Sequence, residues 1–285
     1  MVNDWDVAVV GTKDSIKAVW PFFIRRKGPW KFVANPHFTP YTGPFLIYPE
    51  GQKMDSRISY ENKVYAELID QLPSFSELSQ NFHLTFNNSL AFHWKGFIDE
   101  KRFTYILSLN SDKKNIWDGF RENTRRQIRK AEKSIKCSEY ADPTTLEHLL
   151  KDTYLSQASA YPNFPSILFD RIINYIQENS AGKMLVAKDE QENIHACILM
   201  VWDEKSAYYL IGGSATAHKN SGAMSLLMWE AICVAKKAKK DIFNFEGSSI
   251  ESIEKYLRGF GGNLMGFSRI TKMNSTSLET LKKLK

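Results

Sequence analysis

The stretch FNFEGSSIESIEKYLRGFGG, Phe243 to Gly262, carries a carboxylate at the tip of an aromatic segment, then a tyrosine and an arginine two residues apart, then three glycines. Extended side chains alternate, so DIFNFE sends Phe243 and Phe245 to one face and Ile242, Asn244 and Glu246 to the other. A carboxylate held against apolar surface ionises less readily and becomes a proton acceptor nearer neutral pH. Glu246 therefore has two readings: a base or orienting group for a nucleophile, or a cap on the Ser248–Ser249 turn or the helix that follows. Tyr256 either donates a proton to a leaving group or packs. Arg258 and Lys255 are the cations of this segment. Ile250, Ile253, Leu257 and Phe260 form an apolar stripe that Gly259 ends, and Gly261-Gly262 let the chain reverse into a last strand.

A second group lies upstream. SAYYLIGGSA reads as a strand ending in Gly212-Gly213. Paired glycines there admit a close backbone or ligand, and open α/β sheets bind ligands where strand ends separate; an ordinary loop pair is the other reading. KNSGAMS, Lys219 to Ser225, opens the next helix. Small residues leave its first amides directed outward at the positive end of the macrodipole, a seat for phosphate. Lys219, Ser221, Gly222 and Ala223 are its candidates, unless this is an ordinary helix start capped by Asn220 or Ser221.

Ser111 to Lys133 reads as one long helix with an apolar stripe through Trp117, Phe120, Ile128 and Ala131. Arg121, Arg125 and Arg129 recur every four residues on another face, either solvated or an anion-binding rim in which Arg125 and Arg129 hold substrate. Tyr209 and Asn244 are further candidates for substrate contacts. So is Tyr41, in HFTPYTGPF, which lines an acceptor groove or simply connects strands.

The elements that must position these groups read as mixed α/β. Residues 5–50 are β-rich and broken by Pro36, Pro40, Pro44 and Pro49; Ser56 to Leu72 is a helix; HLTF, AFHWKGF and FTYILSL read as strands. From residue 144 the order is α-α-β-β-β-α-β-α-β. The 222–237 helix is apolar on nearly every side, with only Ser225 and Glu230 polar between Ala223 and Ala235, so it must be buried on nearly every side. One sheet covers only one side. The N-terminal half is expected to cover the rest, which implies two closely docked domains, 1–135 and 136–285.

That order of elements resembles the GNAT acyltransferase fold. FRENTRRQIRKAEKSIK, Phe120 to Lys136, is similar to the R-x-x-I-R-K-A-x-K segment of the Fem-type, FemAB-like aminoacyltransferases. NSGAMSLLMWEAICVAKKAKKDIFNFEGSS and YLRGFGG resemble the same group's small-residue loop, L-L-x-W-x-A-I, D-F-x-G-S and F-K-x-G-F-G-G sequence. The likeness covers residues 100–270 well and the first hundred weakly. It implies two GNAT-like domains and acyl transfer to an amine, which the residue readings of Glu246 and Tyr256 would serve. It also implies a donor held near Gly212, Gly213 and the Lys219–Ala223 loop. Two departures matter. The Q/R-x-x-G-x-G/A loop that holds coenzyme A pyrophosphate is matched here only by Gly222 and Ala223, which leaves the donor open between acyl-CoA and aminoacyl-tRNA. The family's lysine in F-K-x-G-F-G-G, which the resemblance implies stabilises developing negative charge on an oxyanion, is here Leu257, with Arg258 and Lys255 the nearest substitutes.

Composition bounds the rest. A net charge of +6 and a pI near 9.0 favour an anionic partner, or mark a basic protein without one. Cys137, Cys197 and Cys233 have neither zinc nor disulfide spacing and read as free thiols; the six histidines show no ligand spacing, so no metal is expected. No Walker loop, G-x-S-x-G elbow or dinucleotide fingerprint occurs. No signal peptide is visible and the longest apolar run, Ala196 to Trp202, is too short to span a bilayer, so a cytoplasmic protein without a DNA partner is expected.

The resulting expectation is an N-acyltransferase that moves an acyl group from a thioester such as acyl-CoA to an amine on a cell-envelope precursor or amino sugar. The alternatives are an aminoacyl-tRNA-dependent peptidoglycan-bridge enzyme, and a non-catalytic module that binds an anionic glycan or nucleotide sugar.

Overall fold

Two cores organise the chain. The computed structural model describes residues 5–140, 142–157, 159–162, 164–247 and 250–284. It divides into two units, Met1–Arg102 with Gly266–Lys285, and Phe103–Met265.

In the first unit β1 (Trp5–Thr12) and β2 (Ser15–Lys27) form an antiparallel hairpin, and β3 (Trp30–Ala34) and the short β4 (Phe45–Leu46) each pair antiparallel with β2. Helix α1 (Met54–Asp70) carries the chain across so that β5 (Glu77–Asn81) lies parallel to β3. Ala18, Trp20 and Phe22 of β2 alternate into a core with Val64, Tyr65 and Leu68 of α1, which is the period-two and period-four patterning of the sequence made solid. The expected strand AFHWKGF is instead the short helix α2 (Leu90–Trp94) with a turn at Gly96 (φ +76°). The Phe92 and Phe97 rings sit 5.7 Å apart in one aromatic cluster, whereas five extended residues would separate them by about 17 Å. HLTF is likewise a turn, closed by the Phe86 N–H on the His83 carbonyl (2.9 Å).

The second unit takes β6 (Ile98–Ser108) from residue 103, α3 (Lys113–Asp118), α4 (Glu122–Ala131), β7 (Lys136–Glu139), α5 (Pro143–Ser156) and α6 (Ile167–Asn179). Then come β8 (Gly182–Lys188), β9 (Ile194–Trp202), β10 (Ser206–Ser214), α7 (Ala223–Lys237), β11 (Ile242–Asn244) and α8 (Glu251–Arg258). Strands β7, β8, β9 and β10 pair antiparallel in sequence order; β11 joins β10 in parallel and β6 antiparallel. The last elements are β12 (Asn263–Met273), whose residues 269–273 pair with β5 in the first unit, and α9 (Thr276–Lys283). The expected α-α-β-β-β-α-β-α-β order is the observed one, from α5 to β12. This is a mixed α/β fold.

The single long helix expected over Ser111–Lys133 is two. The break at Gly119–Arg121 is held by the Arg121 N–H on the Gly259 carbonyl (2.8 Å). Gly261 (φ +73°) sits so close that a Cβ there would lie 2.5 Å from the Gly119 carbonyl oxygen. Helix α7 is buried on nearly all sides, as its composition requires. Strands β8, β9 and β10 pack on one side, α4 on another, and the Trp117 and Phe120 rings lie 5.3 and 5.4 Å from that of Trp229. Its cover is therefore residues 116–131 of its own unit, and the compact units divide the chain at 102/103 and 265/266, whereas the sequence boundary was placed at 135/136. Among the described residues no helix is long and apolar enough to cross a membrane.

Candidate active site

The second unit's sheet opens between β10 and β11. The two strands pair only from Ser206–Ile242 to Tyr208–Asn244. Past that point β10 stays on β9 through a bulge at Leu210, while Phe245 leaves toward β6 and donates its N–H to the Tyr105 carbonyl (3.0 Å). The wedge is a cavity of about 400 Å³ walled by Tyr209–Gly212 on one side and Phe245–Gly247 on the other. Tyr154 of α5 and Tyr256 of α8 also line it.

Glu246 sits where the chain turns away. Its φ is +59°, a strained value for a side chain with a Cβ. Two contacts hold it there. Its N–H donates to Asn244 Oδ1 (2.8 Å), which also accepts the Thr104 hydroxyl (2.7 Å). Behind it Gly247 (φ +64°) lies against β6, where a Cβ would meet the Phe103 carbonyl oxygen at 2.1 Å. The strand expected to run to Glu246 thus stops at Asn244. The residue is half-buried because the cavity opens on it, yet its Oε1 is shielded from solvent and has no hydrogen-bond partner among the described residues. Burial alone pushes the carboxyl well above the usual carboxylate range. Ser248 and Ser249, and with them the expected turn, lie outside the described residues.

Tyr256 faces the same cavity, and its Oη is likewise buried without a hydrogen bond. Burial holds the phenol above its ordinary range. Ser225 acts in the opposite sense, but its hydroxyl proton is committed to Gln127 Oε1 (3.0 Å). One cavity thus holds a carboxyl that prefers a proton and a phenol that keeps one.

Tyr256 and Met224 also wall a second cavity of about 490 Å³ at the start of α7. Lys219 and Gly222 line it from the loop, and Asn123, Arg126, Gln127 and Lys130 from α4. Gly222 caps α7 at φ +81°, and a Cβ there would meet the Gln127 carbonyl oxygen at 2.6 Å, so only glycine lets α4 approach this closely. Lys130 Nζ donates to the Asn220 carbonyl (3.0 Å) and fastens the loop.

The structure brings together Tyr209, Gly212, Lys219, Gly222, Glu246 and Tyr256, all in the walls of these two cavities. Other candidates are turned elsewhere. Gly213 is buried under α5, where a Cβ would lie 2.5 Å from the Leu149 carbonyl carbon. Ser221 Oγ accepts the Ala223 N–H (3.2 Å), and Ala223 itself is core. Asn244 is fully buried and holds Glu246, not substrate. Arg258 projects into solvent beside Glu254 (3.2 Å). Leu257, at the family's lysine position, is a buried apolar wall. Tyr41 lies in the first unit, edge-on to Phe267 (5.1 Å) and His83. Arg125 and Arg129 both bind Glu122 on the outer face of α4, at 2.7 and 3.2 Å. The four-residue step was right and the face was wrong: Arg126 and Lys130, one position on, line the cavity. The signal for this lay in Thr124, Ile128 and Ala131, whose burial fixes which neighbouring positions flank the core.

The three cysteines are free, with thiols pushed up by burial to about 12 at Cys137 and Cys197 and about 11 at Cys233. No group of three metal-ligating side chains occurs among the described residues.

Residues 118–249 match the family described as Acetyltransferase (GNAT) domain. No curated protein sequence matches the chain. Three solved structures share the fold over nearly its whole length. FemX has 10% identity, with 97% of this chain and 90% of that one covered at a TM-score of 0.69. L-PGS from Bacillus licheniformis has 13% identity, with 98% and 87% covered at 0.54. A tandem GNAT protein from the clavulanic acid biosynthesis pathway has 8% identity, with 95% and 83% covered at 0.54.

Proposed function

We propose, for a chain that carries a GNAT acetyltransferase domain at residues 118–249 within a FemAB-like fold, that it is an N-acyltransferase using Glu246 as base and Tyr256 as acid. One observation carries this reading: two buried oxygens without a hydrogen-bond partner among the described residues, Glu246 Oε1 and Tyr256 Oη, belong to residues lining the same wedge between parted strands. Buried polar atoms are nearly always satisfied, and a carboxyl that can take a proton beside a phenol that can give one is what acid–base work requires.

Acyl-CoA fits as donor on the chain's own residues. Arg126 and Lys219 with the first amides of α7 would hold its phosphates, and the passage past Met224 and Tyr256 would admit its thioester arm. When bound, it supplies an activated carbonyl. Glu246 Oε1 takes the proton that the attacking amine sheds as the N–C bond forms, and Tyr256 Oη gives a proton to the departing sulfur as the C–S bond breaks. Apolar walls (Leu150, Ile211, Phe245, Ile253, Leu257) exclude water and favour a neutral amine over an ammonium. A cell-envelope precursor or amino sugar is the proposed acceptor, in a cytoplasmic setting.

The test is a mass-shift screen of amine acceptors against several acyl-thioesters, with Glu246→Gln as control. Acylated product from the wild-type chain and none from the variant supports the assignment; product from both removes Glu246 from it. The Arg126–Lys130–Lys219 cluster favours a second reading, an aminoacyl-tRNA donor. Binding of tRNA that falls steeply with salt, with no thermal shift from acetyl-coenzyme A, would select that donor.

A further inference from the structure

The first unit contains a larger cavity, about 600 Å³, that acyl transfer does not use. It lies within the roughly 300–1,000 Å³ span of small-molecule sites. Strand alternation creates it. Val33, Leu78 and Ile270 face the core under α1, so Phe32, Ser79 and Arg269 face the other way, where α9 covers only part of the sheet. The helix is held at the rim by Lys282 on Glu77 (2.6 Å) and by the Trp30 indole N–H on Ser277 Oγ (3.3 Å).

Charge makes the cavity selective. Lys282 neutralises Glu77, the one carboxylate among the described lining residues. Arg25, Lys27 and Arg269 also line it, and none has a carboxylate partner among the described residues. Arg269 is half-buried and donates Nε and Nη2 to one oxygen, Ser79 Oγ (3.0 and 2.8 Å), which leaves the Nη1 edge of its fork for an acceptor. A half-buried guanidinium without an anion is costly. Beside these cations stand two half-buried aromatic rings, Trp30 and Phe32, with the Arg25 guanidinium 5.8 Å from the Phe32 centroid.

We infer that this cavity is a second ligand site, for a small organic phosphate whose flat apolar body lies against Trp30 and Phe32 while Arg25 and Arg269 hold the phosphate. Arginine forks match phosphate geometry, and stacked rings add preference for an aromatic body. The inference stands apart from acyl transfer, since no residue is shared with the wedge.

Calorimetric titration of the full chain with phenyl phosphate and with inorganic phosphate tests it. Phenyl phosphate should bind with one-to-one stoichiometry at millimolar concentration or below, more tightly than inorganic phosphate, and more weakly as salt rises. Arg25→Glu, at an exposed position, should weaken it about tenfold or more, Phe32→Ala should erase the preference over inorganic phosphate, and Glu246→Gln should leave binding unchanged. No saturable binding by the wild-type chain, or equal affinity in wild type and Arg25→Glu, overturns the site; equal affinity for the two phosphates overturns its aromatic half.

Discussion

Replacing Glu246 by glutamine should move stability and turnover in opposite directions. Glutamine keeps the shape of the side chain and removes its ionisation. The carboxyl is raised above its ordinary 4.5 by burial, and its Oε1 has no hydrogen-bond partner among the described residues. Between the unfolded and folded pKa values the folded chain therefore holds a proton that the unfolded chain has lost. Folding stability falls as pH rises through that window and stays lower above it, by about 1.4 kcal/mol for each unit of separation. The variant lacks this penalty. In mildly alkaline buffer it should melt higher than wild type, by about 2–4 °C per kcal/mol, and the difference should vanish in acid. Turnover should drop about 10²–10⁴-fold, the usual worth of a positioned base, with donor KM unchanged. Wild-type kcat/KM should rise with pH through the elevated carboxyl pKa. Differential scanning fluorimetry across pH and thiol release from the donor read the two halves. A variant that turns over normally, or that melts no higher in alkaline buffer, refutes the account.

Tyr256→Phe should cut kcat about a hundredfold while holding or raising Tm, because it removes a buried hydroxyl without a hydrogen bond; a stable, fully active variant would exclude Tyr256 as acid. Arg126→Ala should raise donor KM several-fold with kcat kept, and Arg129→Ala should change neither, since Arg129 is bound to Glu122 on the outer face; steady-state kinetics separate them. Gly213→Ala should cost about 1–3 kcal/mol by pressing a methyl into the Leu149 backbone of α5, seen as a lower urea midpoint. Thr104→Val should cost about 1 kcal/mol and lower kcat with little effect on donor KM, because it loosens the Asn244 amide that fixes the Glu246 backbone.

Most of the second unit was legible in the order of its elements. Period-two and period-four patterns are local, and they marked the two helices, the hairpin and the buried helix α7 whose composition demanded cover on every side. The small-residue loop marked where α7 begins, because close backbone approach excludes side chains whatever the partner is. Strand alternation singled out Glu246 and residue chemistry Tyr256, but residue types alone left the first with a capping alternative and the second with a packing one.

Which face each residue presents was decided in three dimensions. Arg125 and Arg126 are adjacent and chemically alike. Only the packing of α4 on α7 sends one to Glu122 and the other to the cavity. Asn244 reads as a substrate contact and Arg258 as a cation for the oxyanion, yet Thr104 and Glu254 claim them. The aromatic run at residues 91–97 was read as a strand because its propensity favours one, and ring-to-ring packing with Trp20 and Phe82 bent it into a turn of helix instead. Sequence alone determined the order of elements from α5 to β12, since that follows from neighbours along the chain. The tertiary structure decided which polar groups are left without partners, because that depends on contacts between residues as far apart as Thr104 and Asn244, which no local pattern encodes.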